Sequence, residues 1–287
     1  MSAPGRHRPK AGVLRQATDS PQGLAVFGLS PKGECRRAQP GGPAVSPELA
    51  WQVLHRRASA PFRSAGHFAW HFARGKLARD PVFRDLLERG RLSRAPRVVD
   101  IGCGQGLLAS LLQGCADLHQ AGRWPPSWPA PPVVSAYTGI ELMPKDVARA
   151  RDAVGTLPLA PQFVCADMCQ AALPVCDLVV ILDVLHYVEH EAQAGVLEQV
   201  RAALAPRGRL LLRVGDANNR RGFAISQWVD RTVTRIRGHR VAPTWGRPLT
   251  DWVALLERLG FAVSSVPMSR GTPFANVLLV AELGASA

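Results

Sequence analysis

The sequence contains no apolar run approaching the ~20 residues that a membrane-spanning helix requires; stretches such as Leu178 to Leu182 are among the longest it offers. An integral membrane protein is not expected. The amino-terminal region also lacks the apolar core, roughly 7 to 15 residues, of a secretory signal, its best stretch being Leu24 to Leu29. Cysteine is sparse and irregularly placed, at Cys35, Cys103, Cys115, Cys165, Cys169 and Cys176. Cys165 and Cys169 have no second pair and no nearby His, so no metal site is expected, and the cysteines read as small buried hydrophobes of a reducing, cytoplasmic chain. Lysine is scarcer still: four of the 35 basic residues are Lys and the rest are Arg, set against 22 acids for a net charge of +13. Such a charge invites a polyanionic partner. The abundance of Arg, Ala, Pro and Gly, however, is what a GC-rich genome produces, and accounts for the charge without one.

What is present describes a globular protein. Hydrophobic residues make up 47% and charged residues 20% of 287 positions, enough to bury on the order of 70 to 75% of the extended-chain surface without disulfides. Residues 1–46 hold seven basic and two acidic residues and recurring prolines without periodicity, which predicts a disordered basic tail. Residues 47–95 space Leu49, Val53, Phe68, Trp70, Phe72, Leu77, Phe83, Leu86 and Leu87 by threes and fours, predicting a helical cap with a restart at Asp80-Pro81. Strands are then expected at 97–101, 134–141, 161–166, 177–182, 208–214, 261–267 and 275–282. Helices are expected at 105–119, 144–155, 190–204 and 249–259. This alternation predicts an α/β, Rossmann-like three-layer sandwich. The link Ser269 to Pro273 is too short for a crossover, so the seven-stranded, mostly parallel sheet should end in a reversed last strand.

The sharpest motif is Val98-Val99-Asp100-Ile101-Gly102-Cys103-Gly104-Gln105-Gly106, a strand opening into a Gly-rich turn ahead of a helix. Such a turn lets a ligand approach the backbone and aims free amides at it. Leu107 occupies the place where a dinucleotide fingerprint wants its third Gly, and Asp100 would repel a pyrophosphate while suiting a ligand with positive charge.

At these residues the sequence resembles the class I S-adenosylmethionine-dependent methyltransferases, of the small-molecule type 11/12-like kind. The resemblance runs over about residues 95–285. It implies S-adenosyl-L-methionine as cofactor, held by Asp100, Gly102, Cys103, Gly104 and Gly106 in the first motif. Glu141, ending Tyr137 to Leu142, would take the ribose hydroxyls beside Leu142. Asp167 and Met168 would take the adenine, and Asp183, closing the fourth strand, would also belong to the cofactor site. His186 just beyond it is the candidate base, ahead of Tyr187, His190, Asp216 and His239. Gly106 to Glu141 spans 35 residues, longer than the related nucleotide-binding spacing of about 20; the excess includes Trp124 to Pro132, with five prolines in nine residues, and is expected to be a surface insertion.

Two further segments bear on the acceptor. Residues 216–247 carry Arg220, Arg221, Arg231, Arg235, Arg237 and Arg240 with Phe223, Ile225, Trp228 and Val229, and are expected to form a substrate lid suited to an acidic or carrier-protein-bound substrate. Residues 66–77 supply Arg74 and Lys76 as candidates for the cofactor carboxylate. With Asp80-Pro81-Val82-Phe83 this segment also resembles small-molecule methyltransferases encoded with bacterial polyene and fatty-acid-like pathways. The chain has Asp183-Val184-Leu185-His186 where amine methyltransferases of nucleic acid carry D/N-P-P-Y/F, and no Pro-Cys nucleophile follows the fourth strand. Methylation of a small-molecule or carrier-bound oxygen is therefore the first reading. An RNA methyltransferase using the basic lid and tail, and a non-catalytic nucleotide-binding module, are the alternatives.

Overall fold

A computed structural model describes residues 45–218, 244–269 and 275–284. Three cap helices come first: α1 (Pro47–Ser59), α2 (His67–Arg79) and α3 (Pro81–Glu88). Local chemistry sets two of the starts. Ser46 accepts from Leu49 N ahead of Pro47, and Asp80 accepts from Val82 N ahead of Pro81, each an N-cap followed by a proline whose missing N–H costs nothing there.

The sheet then unfolds in alternation: β1 (Arg97–Ile101), α4 (Leu107–Gln120), β2 (Ala136–Glu141), α5 (Pro144–Val154), β3 (Gln162–Cys165), β4 (Cys176–Leu182), α6 (His190–Ala203) and β5 (Leu204–Gly215). The chain closes with α7 (Leu249–Arg258), β6 (Phe261–Pro267) and β7 (Asn276–Leu283). Strand order is β3-β2-β1-β4-β5-β7-β6, with β7 alone running against its neighbours. The reversed last strand is thus inserted between β5 and β6. The order reverses direction between β1 and β4, the point at which open α/β sheets bind ligands beyond their carboxyl ends.

Strand alternation sorts the core into two layers. Val98, Tyr137, Leu178, Val180 and Leu211 face α4, α5 and the cap, whereas Val99, Ile101, Val179, Ile181, Leu210 and Leu212 face α6 and α7. Because both faces are covered, the central strands are continuously apolar. Two expectations need correction. The fifth strand, expected from residue 208, begins at Leu204: Cys176 pairs with Leu204, the register shifts before Leu178 meets Arg209, and Arg207 sits at φ +61°, marking a bulge. The proline-rich insertion is also more than surface. Trp128 is 7% exposed, Trp124 Nε1 donates to Pro129 O, and Ser93 Oγ donates to Ala130 O, so the prolines carry two tryptophans back onto the start of the cap-facing layer. The basic tail, apart from residues 45 and 46, lies outside the described residues. No described helix is long and apolar enough to cross a membrane.

Candidate active site

The Gly-rich turn leaves β1 at the sheet's carboxyl edge. Gly102 N and Cys103 N both donate to Ile140 O of β2, at 2.8 and 3.1 Å. Gly102 has φ +75°, and a Cβ there would lie 2.5 Å from Val184 Cγ1. Gly104 has φ +55° and nothing within 4 Å of its missing Cβ, so its bare backbone faces open space. Gly106 provides the left-handed start of α4, and Cys103 is buried beneath the turn.

Glu141 ends β2 beside this loop. Its Oε2 accepts from Gly104 N at 3.0 Å and its Oε1 from Met143 N at 2.9 Å, holding the carboxylate between the Gly-rich turn and the start of α5. Leu142, next to it, is exposed. Asp167 follows β3 and folds a turn of its own, Oδ1 accepting from Cys169 N at 2.9 Å, with half-buried Met168 between them. The carboxyl edges of β1, β2 and β3 therefore carry the first-motif turn and the two acids in adjacent positions, as the sequence arranged them.

Asp100 lies one layer deeper. It is 5% exposed and accepts a hydrogen bond from Tyr137 Oη at 2.6 Å. Burial pushes its carboxyl up to about 7, against the lowering pull of the Tyr137 hydroxyl, and the nearby charge of Glu141 adds to the rise.

Asp183 takes a different part from the ribose and adenine acids. It stands just past β4 at φ +62° and is gripped by Arg213 of β5, with Lys76 of α2 at 3.5 Å. Arg213 also pairs with Asp80. Burial alone would raise both carboxyls; the charges of Arg213 and Lys76 and the Arg213 hydrogen bonds overturn that and hold both below the ordinary range. Arg74 stays outside this cluster: it is exposed, with its guanidinium 5.6 Å from the Trp70 ring.

His186 lies in the short turn Leu185–Tyr187 after β4, half-buried, its ring 4.3 Å from that of Tyr187. Its carbonyl accepts from Trp245 N at 2.8 Å, which brings the far end of the expected lid to the same edge. Gln193, fully buried, fastens that return: Nε2 donates to Val188 O and Trp245 O, and Oε1 accepts from Arg247 Nε. Asp216 caps the start of α7 through Leu249 N, and His190 meets Gly246 O. His239 and the lid residues Arg220, Arg221, Phe223, Ile225, Trp228, Val229, Arg231, Arg235, Arg237 and Arg240 lie outside the described residues.

Sequence reasoning passed over Arg213, Gln105 and Gln193. A signal existed for the first, an Arg interrupting Leu210-Leu211-Leu212 near the end of a buried strand, since a buried Arg requires partners. The two glutamines leave no such mark. Among the cysteines, Cys103, Cys115 and Cys176 are buried as expected, whereas Cys165 is exposed at the end of the edge strand β3 and Cys169 is half-buried in the turn that follows it. No group of metal-holding side chains occurs among the described residues.

A glycine-rich turn after β1, with an acid at the end of β2 and a doubly wound sheet, defines an α/β protein built to take a nucleoside-like ligand. The family described as Methyltransferase domain matches residues 69–266, well over half of the sequence, and the chain belongs to it. The fold is similar to that of magnesium protoporphyrin IX methyltransferase from Synechocystis PCC 6803 with bound S-adenosylhomocysteine, at 18% identity and TM-score 0.50 over 83% of this chain and 100% of that one. It is also similar to an S-adenosylmethionine-dependent methyltransferase from Mesorhizobium loti, at 22% identity and TM-score 0.50 over 70% and 96% of the two chains. No curated protein matches the sequence significantly.

Proposed function

We propose that the chain transfers a methyl group from S-adenosylmethionine to an oxygen of a small-molecule or carrier-bound acceptor in the cytoplasm. The observation that carries this reading is the Glu141 carboxylate held against Gly104 N at the open, Cβ-free face of the first-motif turn. That site offers an acceptor pair to a ribose diol and unobstructed backbone to the rest of a nucleoside. Asp167 and Met168 lie one strand further on, where an adenine would extend. The Glu141 carboxylate beside the turn suits a cationic ligand and not a pyrophosphate. The free cysteines among the described residues fit a reducing compartment.

When bound, S-adenosylmethionine supplies a methyl already activated by its sulfonium. The protein's share is then to align the acceptor and take up its proton. His186 is the base in this reading: it sits past β4 at the ligand edge, against the returning segment that carries Trp245.

Calorimetric titration tests the reading. S-adenosylhomocysteine should bind with a micromolar Kd, Glu141→Ala should abolish that binding, and a nicotinamide dinucleotide should give no heat. Binding of the dinucleotide alone would overturn it. With a hydroxyl acceptor in hand, His186→Ala should lower kcat by about 10²-fold or more with S-adenosylhomocysteine affinity unchanged; an unaltered kcat would remove His186 from the chemistry.

A further inference from the structure

Arg213 is 1% exposed, and it is shared between two carboxylates from different parts of the fold. Its Nη1 and Nη2 donate to Asp80 at 2.5 and 2.8 Å, and its Nε donates to Asp183 Oδ1 at 2.7 Å while Nη2 also meets Asp183 Oδ2. Lys76 completes the group, 2.6 Å from Asp80 and 3.5 Å from Asp183. Two cations and two anions thus join α2 and the N-cap of α3 to the ends of β4 and β5.

Both arms of this group lead to the Gly-rich turn. On the sheet side, Asp183 is held in a left-handed conformation, and the next residue, Val184, fills the space a Gly102 Cβ would need. On the cap side, Lys76 lies on α2, and α2 is tied to the turn by buried Gln105, whose Nε2 donates to Ala69 O at 2.8 Å. The path therefore closes on itself: Arg213, Asp183, Val184, Gly102, Gln105, Ala69, Lys76, Asp80 and back to Arg213. Mere adhesion of the cap does not call for buried charges, since apolar side chains of similar volume often hold as well or better, and Leu77, Leu86 and Leu87 already do so. Charges with forked hydrogen bonds add fixed geometry.

We propose that Arg213 is a positioning residue for the cofactor site: by gripping Asp80 and Asp183 together it sets the Gly-rich turn from both sides. The inference rests on the cofactor reading above. Arg213→Lys keeps the charge and loses the fork. It should weaken S-adenosylhomocysteine binding by about tenfold or more, as expected when a residue outside the contact shell shifts those within it. It should also speed amide hydrogen exchange over residues 67–79 and 102–106. Val200→Ala, in the last turn of α6 where the chain passes into the amino end of β5, serves as the control: it should lower Tm and leave the Kd within about twofold, since a cavity at that end of the sheet is remote from the turn. If Arg213→Lys does not fold, Asp80→Asn carries the same comparison, because Asn retains the N-cap acceptor while releasing one fork. A Kd in the variant equal to wild type, with Tm lowered as in Val200→Ala, would overturn the positioning role and leave the cofactor reading standing. Failure of the wild-type protein to bind S-adenosylhomocysteine would overturn both.

Discussion

Gly102 and Gly104 are two residues apart, and both have positive φ, yet they answer different demands. At Gly102 the neighbour is Val184, so Gly102→Ala adds a steric overlap to the left-handed penalty and should cost about 2–5 kcal/mol of stability. At Gly104 nothing stands in the way of a methyl. Gly104→Ala should therefore cost only about 1–2 kcal/mol but obstruct the face where a ligand approaches. Urea denaturation and calorimetric titration of the two variants should separate them, the first losing mostly stability and the second mostly S-adenosylhomocysteine affinity. Wild-type affinity in Gly104→Ala would move the ligand away from this face. The sequence made both glycines visible through the G-x-G-x-G spacing, but not the division of labour, which depends on Val184 arriving from 82 residues beyond Gly102. Asp183 shows the same limit. Its place after an apolar strand was legible, whereas its partners Arg213 and Lys76 come from elements that only the folded topology brings together.

Among the elements, those with a strong period were readable to within a few residues. β1 and β6 fall where apolar alternation ends at Gly or Pro, and α5 begins at Pro144 as a proline at a first helical position dictates. The errors arise where a local signal competes with a distant contact. Ala205-Pro206-Arg207-Gly208 has the composition of a turn, but pairing of Leu204 with Cys176 draws it into β5 as a bulge. In the insertion, prolines forbid helix or ladder, and composition alone says nothing of where Trp128 goes. It is buried, and its neighbours Pro129 and Ala130 meet Gly90 and Ser93 ahead of β1 while the segment leads on to the amino end of β2, where Pro96 O accepts from Ser135 N and Ala136 N, at the end of the sheet remote from the Gly-rich turn. Trp128→Ala should thus destabilise the protein by about 3–5 kcal/mol while leaving ligand affinity intact in the folded fraction. A thermal scan with and without S-adenosylhomocysteine checks this: the variant should melt lower, and the ligand should raise its Tm by about as much as it raises that of wild type. A lost ligand shift would mean that the insertion reaches the site.

At the scale of the whole molecule, buried carboxylates of opposite behaviour shape the dependence of stability on pH. Asp80 and Asp183 are held below the ordinary carboxylate range by Arg213 and Lys76. Their contribution is complete above the unfolded-state value, near 4, and is lost as pH falls and the folded protein is forced to protonate them. Asp100 works the other way. Burial pushes it up to about 7, so between about pH 4 and 7 the folded state keeps a proton that the unfolded chain has released. Stability attributable to Asp100 therefore falls as pH rises through that window, by at most about 1.4 kcal/mol per unit. The two slopes oppose each other, so these three carboxylates together favour the folded state most in acidic solution. Asp100→Asn removes the titrating group and keeps an acceptor for the Tyr137 hydroxyl. Relative to wild type it should gain stability at pH 7.5 more than at pH 5, while the acid loss below pH 4 persists because Asp80 and Asp183 are untouched. Urea unfolding free energies of both proteins at those pH values decide the matter. Parallel curves would show that Asp100 is ionised in the folded state throughout, and that its charge is balanced by a group other than Tyr137.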